Sequence, residues 1–266
     1  MLVKLRLVFI LVAILLLARV TPGQDDAFPF HPSYDGVIQW IQSEPLKGTL
    51  PFCRGYYTSV RWEANGDGWW TDYPRSDRAL VRRINELTEI QLGPSVVVRL
   101  DDPLLTRCPL VYLEDAGTIG LSDEEARNVQ TYLAKGGFLW ADDFWGTAAW
   151  DHWATQFRKV YPNADWWAVP VSHPLRTMLY PTPEIPQIPA TGFWPATTSE
   201  RGDDSHYVNF RGIWDEDRDR LVAVATHNTD IADAFDEEQQ SREFFLEFGA
   251  KGTAVAVNIL LYALLH

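Results

Sequence analysis

The sequence predicts an α/β fold in which a mostly parallel sheet carries helices on both faces. Three observations support this fold class. Strand-like and helix-like segments alternate from Tyr57 to the end of the 266-residue chain, which is the pattern of parallel α/β proteins. The run Ser95–Leu100 contains three consecutive valines and indicates a strand buried on both faces. A helix with clear start and stop signals, 123–135, leads directly into the apolar strand Phe138–Ala141.

The first 24 residues have the pattern of a secretory leader. Lys4 and Arg6 precede the unbroken apolar run Leu7–Ala18, and the turn-forming segment Thr21–Gln24 follows. The apolar run has about a dozen residues, fewer than the roughly 20 that a membrane-spanning helix needs. We therefore expect residues 1–23 to be a signal peptide and the chain to be periplasmic or secreted, with no membrane contact after cleavage. An uncleaved N-terminal membrane anchor is the alternative.

The first half of the folded region is predicted to be rich in strands. Residues 24–55 are expected to form an N-terminal arm, and residues 56–266 the α/β domain. The domain begins with a predicted strand, a helix and two strands, in the order Tyr57–Trp62, Ser76–Thr88, Ser95–Leu100 and Pro109–Leu113. The connection between the second and third strands is short for a parallel crossover, so Asp102–Thr106 is expected to supply one helical turn there.

The second half is predicted to be richer in helices. Ser122 and Glu125 form a capping box for the helix 123–135, and Gly136 follows its end, where glycine commonly terminates helices. Residues 162–208 are rich in proline and aromatic residues and are expected to form an irregular lobe. The other predicted elements are a strand, a helix, a hairpin and two helices: Phe138–Ala141, Thr147–Tyr161, Arg211–Trp214 with Leu221–Ala225, Glu238–Phe248 and Thr253–Leu265.

The composition excludes several classes of protein. There are 23 basic and 36 acidic residues, a formal net charge of −13, and 46% of residues are hydrophobic. An apolar fraction of this size excludes a disordered chain, and an acidic chain without a basic cluster is not expected to bind nucleic acid. The chain also has 12 tryptophans. Trp69-Trp70, Trp145 and Trp166-Trp167 fall in predicted loops, where they either cover the core or stack on sugar rings.

Polar side chains follow the carboxyl ends of four predicted strands. In open α/β sheets, ligands bind outside this edge, so residues that are distant in sequence are expected to meet there. The predicted binding residues are Arg61, Glu114, Trp145 and Asp230, and the candidate catalytic residues are Asp142, Asp143 and His227.

Each of these candidates also has a structural interpretation. Adjacent strand residues point to opposite faces, so one of Asp142 and Asp143 could enter a pocket as an acid while the other caps the next helix. Asp230 could orient the imidazole of His227, or both could join an aspartate around a divalent ion. No H-x-x-x-H spacing supports that ion, and satisfied polar loop residues are the favoured interpretation. We therefore expect no metal and no cofactor.

The order of several motifs resembles a bacterial family, domain-of-unknown-function family 4159. The similar stretches are Leu121–Ala126, Gly136–Leu139, Asp142–Gly146, Pro186–Pro189, His227–Asp230 and Asn258 with Tyr262, Ala263 and His266. The resemblance implies a three-layer α/β/α sandwich similar to class I glutamine amidotransferases. Those enzymes carry a nucleophilic cysteine on a strand-to-helix turn. The comparable turns here, Leu113–Gly117 and Ala141–Gly146, contain no cysteine, so that activity is not expected.

The two cysteines are expected to lie close together. Cys53 and Cys108 each precede a predicted strand, the first and the third, and these strands are neighbours in a flavodoxin-like order. An oxidising compartment permits a disulfide between them. Two free, buried thiols are the alternative.

These observations favour a binding protein over an enzyme. We expect an exported domain that binds a small molecule, a glycan or an envelope protein partner in a pocket lined by carboxylates and aromatic residues. The alternative is a hydrolase, with glycans as its candidate substrates, in which Asp142 or Asp143 and His227 act as acid and base.

Overall fold

The computed structural model describes residues 49–163, 165–215, 220–237 and 240–266. The expected signal peptide, and the expected N-terminal arm up to residue 48, lie outside this part of the chain. The described residues form a seven-stranded, mostly parallel sheet with helices on both faces. The predicted α/β sandwich is therefore confirmed.

The secondary structure elements alternate along most of the chain. The strands are β1 Leu50–Tyr56, β2 Thr58–Ser59, β3 Leu92–Arg99, β4 Leu110–Leu113, β5 Ile119–Gly120, β6 Phe138–Ala141, β7 Trp167–Ala168, β8 Asn209–Trp214 and β9 Leu221–His227. The helices are α1 Arg75–Leu87, α2 Asp123–Ala134, α3 Gly146–Phe157, α4 Asp233–Asp236 and α5 Arg242–Leu265. Short 3-10 turns occur at Gly68–Trp70, Pro103–Arg107, Ala116–Thr118, Pro174–Thr177 and Gly202–Ser205.

The strand order of the main sheet is β3-β1-β4-β6-β9-β8-β7. The first five strands are parallel, and the hairpin strand β8 and the short β7 continue the sheet in antiparallel pairings. The chain thus leaves β1 towards β3 at one edge and then crosses to β4 on the other side of β1. This is the flavodoxin-like order that the sequence predicts, and it creates a topological switch point between β1 and β4.

Two hydrophobic cores fill the spaces between the sheet and its helices. Helices α1 and α5 pack on one face, and α2 and α3 pack on the other. Strand β6 shows the cause, because its side chains alternate between the two faces. Phe138 and Trp140 belong to the core under α1 and α5, whereas Leu139 and Ala141 belong to the core under α2 and α3. All four are buried, as expected for a strand covered on both sides.

The first strand differs from its predicted position. The prediction was Tyr57–Trp62, but the strand is Leu50–Tyr56, so the folded domain begins before residue 56. Leu50–Tyr56 contains a proline, an arginine and a glycine, which do not suggest a central strand. Its Arg54 is fully buried, and partners distant in sequence make this burial possible.

The C-terminal helix also differs from the prediction of two helices. One helix, α5, runs through Arg242–Leu265, and α4 at Asp233–Asp236 precedes it. Gly252 does not interrupt α5. A Cβ atom at this position would overlap the side chain of Ala234 in α4, so the glycine permits a close approach of the two helices.

Helix α5 has the length and apolar character of a membrane-spanning helix. Within the described residues it is the only helix that meets these criteria, and 67% of its most apolar stretch is buried inside the protein. Its apolar side chains, including Val255, Val257 and Ile259, fill the core beneath the sheet. The composition of α5 is accounted for by this packing.

A disulfide joins two neighbouring central strands. Cys53 lies within β1, not before it as predicted, and Cys108 lies two residues before β4. The two Cα atoms are 5.9 Å apart, within the range for a disulfide. The bond expected between these two cysteines is present.

Candidate functional site

A small acidic cavity opens at the carboxyl edge of the parallel strands. Its volume is about 180 Å³, and its walls come from the segment between β1 and α1, the residues after β4, β6 and β9, and the lobe before β8. Nine of its lining residues are carboxylates: Glu63, Asp67, Asp72, Asp115, Asp143, Glu200, Asp230, Asp233 and Glu237. One lining residue, Arg75, is cationic. The position beside the switch point is where open α/β sheets bind ligands.

One group of these carboxylates surrounds Asp143. Asp115 and Asp143 follow β4 and β6, and both have left-handed backbone conformations, with φ of 48° and 49°. Oδ1 of Asp143 accepts a hydrogen bond from Nε1 of Trp145 at 2.9 Å, and Oε1 of Glu63 accepts one from the backbone N–H of Trp145, also at 2.9 Å. Trp145 therefore holds two of the carboxylates in place.

Burial makes the ionised forms of this group unfavourable. Desolvation, reinforced by the charge of Glu63, raises the pKa of Asp115 to about 8, although a hydrogen bond from the backbone N–H of Gly68 opposes the shift. Desolvation, with Glu200 and Asp115 as neighbouring charges, raises the pKa of Asp143 well above its usual range. The positive charge near this group, which comes from Arg61 and Arg201 beside Glu63, does not outweigh the desolvation of Asp115 and Asp143.

A second group surrounds Asp72. One carboxylate oxygen from each of Asp72, Glu114 and Asp230 lies within 4.8 Å of the others. Asp72 also belongs to a second triplet of the same kind, with Asp233 and Asp236. Three or more converging carboxylate oxygens are the ligands that hard divalent cations such as Ca²⁺ prefer.

Two arginines partly compensate the charge beside the second group. Arg54 in β1 is fully buried and pairs with Asp77 of α1 and, through Nη1, with Oε2 of Glu114 at 2.5 Å. Arg75 pairs with Asp72, with Asp236 at 2.5 Å and with Glu237 at 3.6 Å. Two guanidinium groups are therefore shared among five carboxylates. The pairs of Arg54 are fully buried and require every partner, because removing one leaves an uncompensated charge in the interior.

Asp142 is a structural residue. Its Oδ2 accepts hydrogen bonds from the hydroxyl of Tyr112 and the backbone N–H of Ile231, and its Oδ1 accepts one from Thr226. Burial raises its pKa to about 7, and these hydrogen bonds limit the shift. Its side chain is wholly buried, whereas Asp143 lines the cavity.

Neither aspartate caps helix α3, so that part of the prediction is wrong. The first N–H groups of the helix are instead bound by the side chains of Asn228 and Asp204. Asp143 has a left-handed backbone conformation and directs its carboxylate to Trp145.

His227 does not line the cavity, and its ring is held by contacts with other residues. Its Nε2 lies 2.9 Å from the carbonyl oxygen of Gly146, and its Nδ1 lies 3.2 Å from the side-chain nitrogen Nδ2 of Asn209. The imidazole ring packs against Phe144 and Trp150. Burial lowers its pKa to about 4.

The expected orientation of His227 by Asp230 is not present. Oδ1 of Asp230 accepts a hydrogen bond from the backbone N–H of Asp233 instead. The acidic triplets of the described residues do not include His227, Asp142 or Asp143, so the metal alternative considered for those residues is not supported by their positions.

Arg61 contributes to the cavity through a neighbour. Its guanidinium pairs with Glu63 at 2.8 Å, and Glu63 lines the cavity, whereas Arg61 does not. The predicted end of the first strand near Arg61 is therefore a loop that places a carboxylate at the site.

The loop tryptophans do not form an aromatic platform in the cavity. Trp145 alone among them lines it. Trp69 is buried and packs with Trp70 and Tyr73, and Trp166 packs on Trp150 and Trp153. Trp69 and Trp166 therefore belong to aromatic packing of the domain, and the lining of the cavity is dominated by carboxylates.

Sequence reasoning missed several carboxylates of the site. Asp72 and Glu200 lie in loops that do not follow a predicted strand end, whereas Glu63 directly follows the predicted strand Tyr57–Trp62. A detectable signal was the cluster of polar residues and glycines at 63–72 between β1 and α1. Gly66 approaches the Asp115 carboxylate so closely that a Cβ atom would overlap it, so the close approach requires glycine.

The fold and site together define an α/β sandwich with an acidic cavity at its topological switch point. The chain belongs to the family described as Domain of unknown function (DUF4159), whose family model matches residues 58–264. A comparison with curated proteins found no significant match. The match confirms the family that the sequence motifs resemble.

Proposed function

We propose that the protein is an exported ligand-binding domain and that the acidic cavity is its binding site. The observation that carries this proposal is the convergence of nine carboxylates and one arginine on a cavity at the switch point. A volume of about 180 Å³ is below the usual range for drug-sized ligands. The occupant that fits this charge and size is a small organic cation, such as an amine.

A binding role agrees with the chemistry of the cysteines. The proposed fold class is that of class I glutamine amidotransferases, which need a free cysteine nucleophile. This chain has two cysteines, and both are in the disulfide. A disulfide between buried strands also supports export, because such bonds persist in oxidising compartments. The leader-like segment 1–23 supports the same location.

A hydrolase is the second candidate function. The raised pKa of Asp143, together with the pKa of about 8 at Asp115, favours it, because a protonated carboxyl group can act as a general acid near neutral pH. His227 does not take part in this arrangement, since Gly146 and Asn209 occupy its ring nitrogens. Asp143 and Asp115 are the groups that would act.

Matched pairs of ligands test the binding proposal. Putrescine would be compared with butane-1,4-diol, and glucosamine with N-acetylglucosamine, by calorimetry and thermal denaturation of chelator-treated protein. We expect the amines to bind and raise the melting temperature, and Asp143→Asn to weaken that binding. Glu247→Gln, which makes the same charge change on an exposed side chain of α5, serves as the control and should bind like the wild type.

Two results would overturn the binding proposal. One is equal binding of the amines and their neutral partners. The other is amine binding that Asp143→Asn leaves unchanged. Hydrolysis of a glycan pool that is lost in Asp143→Asn, with the fold intact by circular dichroism, would establish the hydrolase instead.

A further inference from the structure

The carboxylates of Asp72, Glu114 and Asp230 converge from three segments of the chain. They follow β1, β4 and β9 and meet beside the switch point, with one oxygen of each within 4.8 Å of the others. Oxygens on opposite sides of a Ca²⁺ ion are separated by about 5 Å, since each Ca–O bond is about 2.3–2.6 Å. The triplet therefore has the dimensions of a coordination shell.

Glu114 supplies an independent indication of a ligand. Its side chain is fully buried, and its Oε2 takes the ion pair with Arg54. Its other oxygen, Oε1, is buried and has no hydrogen-bond partner among the described residues. A buried carboxylate oxygen without a partner is costly, and a bound cation would satisfy it.

The charges around the triplet leave a place for a cation. Arg54 is shared with Asp77, and Arg75 is shared among Asp72, Asp236 and Glu237. In the described part of the chain, no ion pair involves Asp230, whose neighbour Asp233 is also acidic.

The neighbouring triplet is less suited to an ion. It consists of Asp72, Asp233 and Asp236. Nε of Arg75 lies 2.6 Å from Oδ1 and 2.5 Å from Oδ2 of Asp236. Both oxygens of Asp236 are therefore already occupied by a guanidinium group, whereas Glu114 keeps one oxygen available.

We propose that Asp72, Glu114 and Asp230 form a divalent-cation subsite beside the acidic cavity and that this subsite takes Ca²⁺ or Mg²⁺. Asp72 and Asp230 line the cavity, whereas Glu114 lies buried behind them. The inference rests on the proposed function only in that the subsite shares Asp72 and Asp230 with that cavity. Three carboxylates supply the protein ligands, and solvent completes the coordination shell. A cation bound there would offset the negative charge of the three carboxylates, because the two nearby arginines are already shared with other carboxylates.

Titration of chelator-treated protein with CaCl₂ or MgCl₂ alone tests the subsite. We expect saturable binding of one ion with a dissociation constant of about 10⁻⁴–10⁻³ M, the range of extracellular calcium modules, and a concentration-dependent rise in melting temperature. Glu114→Gln and Asp230→Asn should each weaken binding by about tenfold or more, comparable to the losses caused by altering metal-site residues.

Two further variants serve as controls. Asp236→Asn removes a carboxylate of the neighbouring triplet, and Glu247→Gln removes an exposed charge on α5. Glu247→Gln should bind the ion as the wild type does, and Asp236→Asn should still bind it, although Arg75, which pairs with both Asp236 and Asp72, loses one partner. If Glu114→Gln fails to fold, as judged by circular dichroism, Asp230→Asn decides the question, because Asp230 has no ion pair to lose.

Three results would overturn the subsite. The first is the absence of binding up to about 10 mM of the ion, ten times the weakest dissociation constant expected. The second is ion binding that both Glu114→Gln and Asp230→Asn leave unchanged. The third is ion binding that Asp236→Asn abolishes while Glu114→Gln does not. Because metal and amine are titrated separately, failure of the subsite is distinguishable from failure of the amine-binding proposal.

Discussion

Three aspartates of the cavity have backbone conformations that residues other than glycine rarely adopt. Asp72, Asp115 and Asp143 have φ of 55°, 48° and 49°. The left-handed region costs most residues about 1–2 kcal/mol, although aspartate tolerates it better than most. Such conformations persist when the surrounding structure fixes them, and they cluster at functional sites. In this protein the three residues with this conformation each supply a carboxylate to the lining of the cavity.

The site could be predicted from the sequence only in part. Glu114, Asp143 and Asp230 follow strands, so the edge of the sheet to which they belong was predictable. Asp72 was not, because its position depends on the path of the loop between β1 and α1. The role of Asp142 was also not predictable, since its partners Tyr112 and Thr226 come from other strands.

His227 is expected to make stability depend on pH. The folded protein keeps the ring neutral, with a pKa of about 4, whereas an unfolded histidine titrates near 6.5. Burial is the main cause. Arg211 acts in the same direction, and the carbonyl of Gly146 and the charge of Asp204 act against it.

The resulting stabilisation is complete above about pH 6.5 and is lost as the pH falls towards 4. We expect the free energy of unfolding of the wild type, minus that of His227→Gln, to fall by up to about 3 kcal/mol over this interval. Urea denaturation of both proteins at a series of pH values measures this difference in the free energy of unfolding. A difference that stays constant with pH would contradict the pKa assignment.

Among the elements, those with local signals were predicted best. The capping box at Ser122 and Glu125 is present, and β6 has the predicted bounds. Strand β1 was misplaced because burial of Arg54 depends on Asp77 and Glu114, which lie far along the chain. Helix α5 was divided in the prediction because Gly252, in sequence alone, does not reveal the contact with Ala234.

Helix α2 provides a test of the capping box. The hydroxyl of Ser122 accepts a hydrogen bond from the backbone N–H of Glu125, and the Glu125 carboxylate accepts one from the backbone N–H of Ser122. Ser122→Ala should lower the free energy of unfolding by about 1 kcal/mol. Ser122→Asp, which keeps a capping oxygen, is the control. Equal losses in the two variants, measured by urea denaturation, would exclude the hydrogen bond as the cause.

At the scale of the whole molecule, the disulfide is expected to make a large contribution to stability. It closes a loop between residues that are 55 positions apart, which corresponds to about 4 kcal/mol in the chain-entropy model. The double variant Cys53→Ala/Cys108→Ala should lose about this amount in urea denaturation. A reductant should lower the stability of the wild type to a similar level and leave the double variant unchanged. Retention of wild-type stability after full reduction would refute the prediction.

The disulfide also determines where the sheet can open. Strands β1 and β4 pair at two positions, whereas β1 and β3 pair at six. The covalent bond therefore lies at a short seam between two halves of the sheet, towards the amino end of β4 and away from the edge at which the cavity opens. In the oxidised protein, fluctuations that expose backbone amides to exchange must begin elsewhere, such as at the outer strands. We expect reduction to let β3, β1 and α1 separate from the rest of the sheet as a unit, and the segment between β1 and α1, which lines the cavity, to move with them.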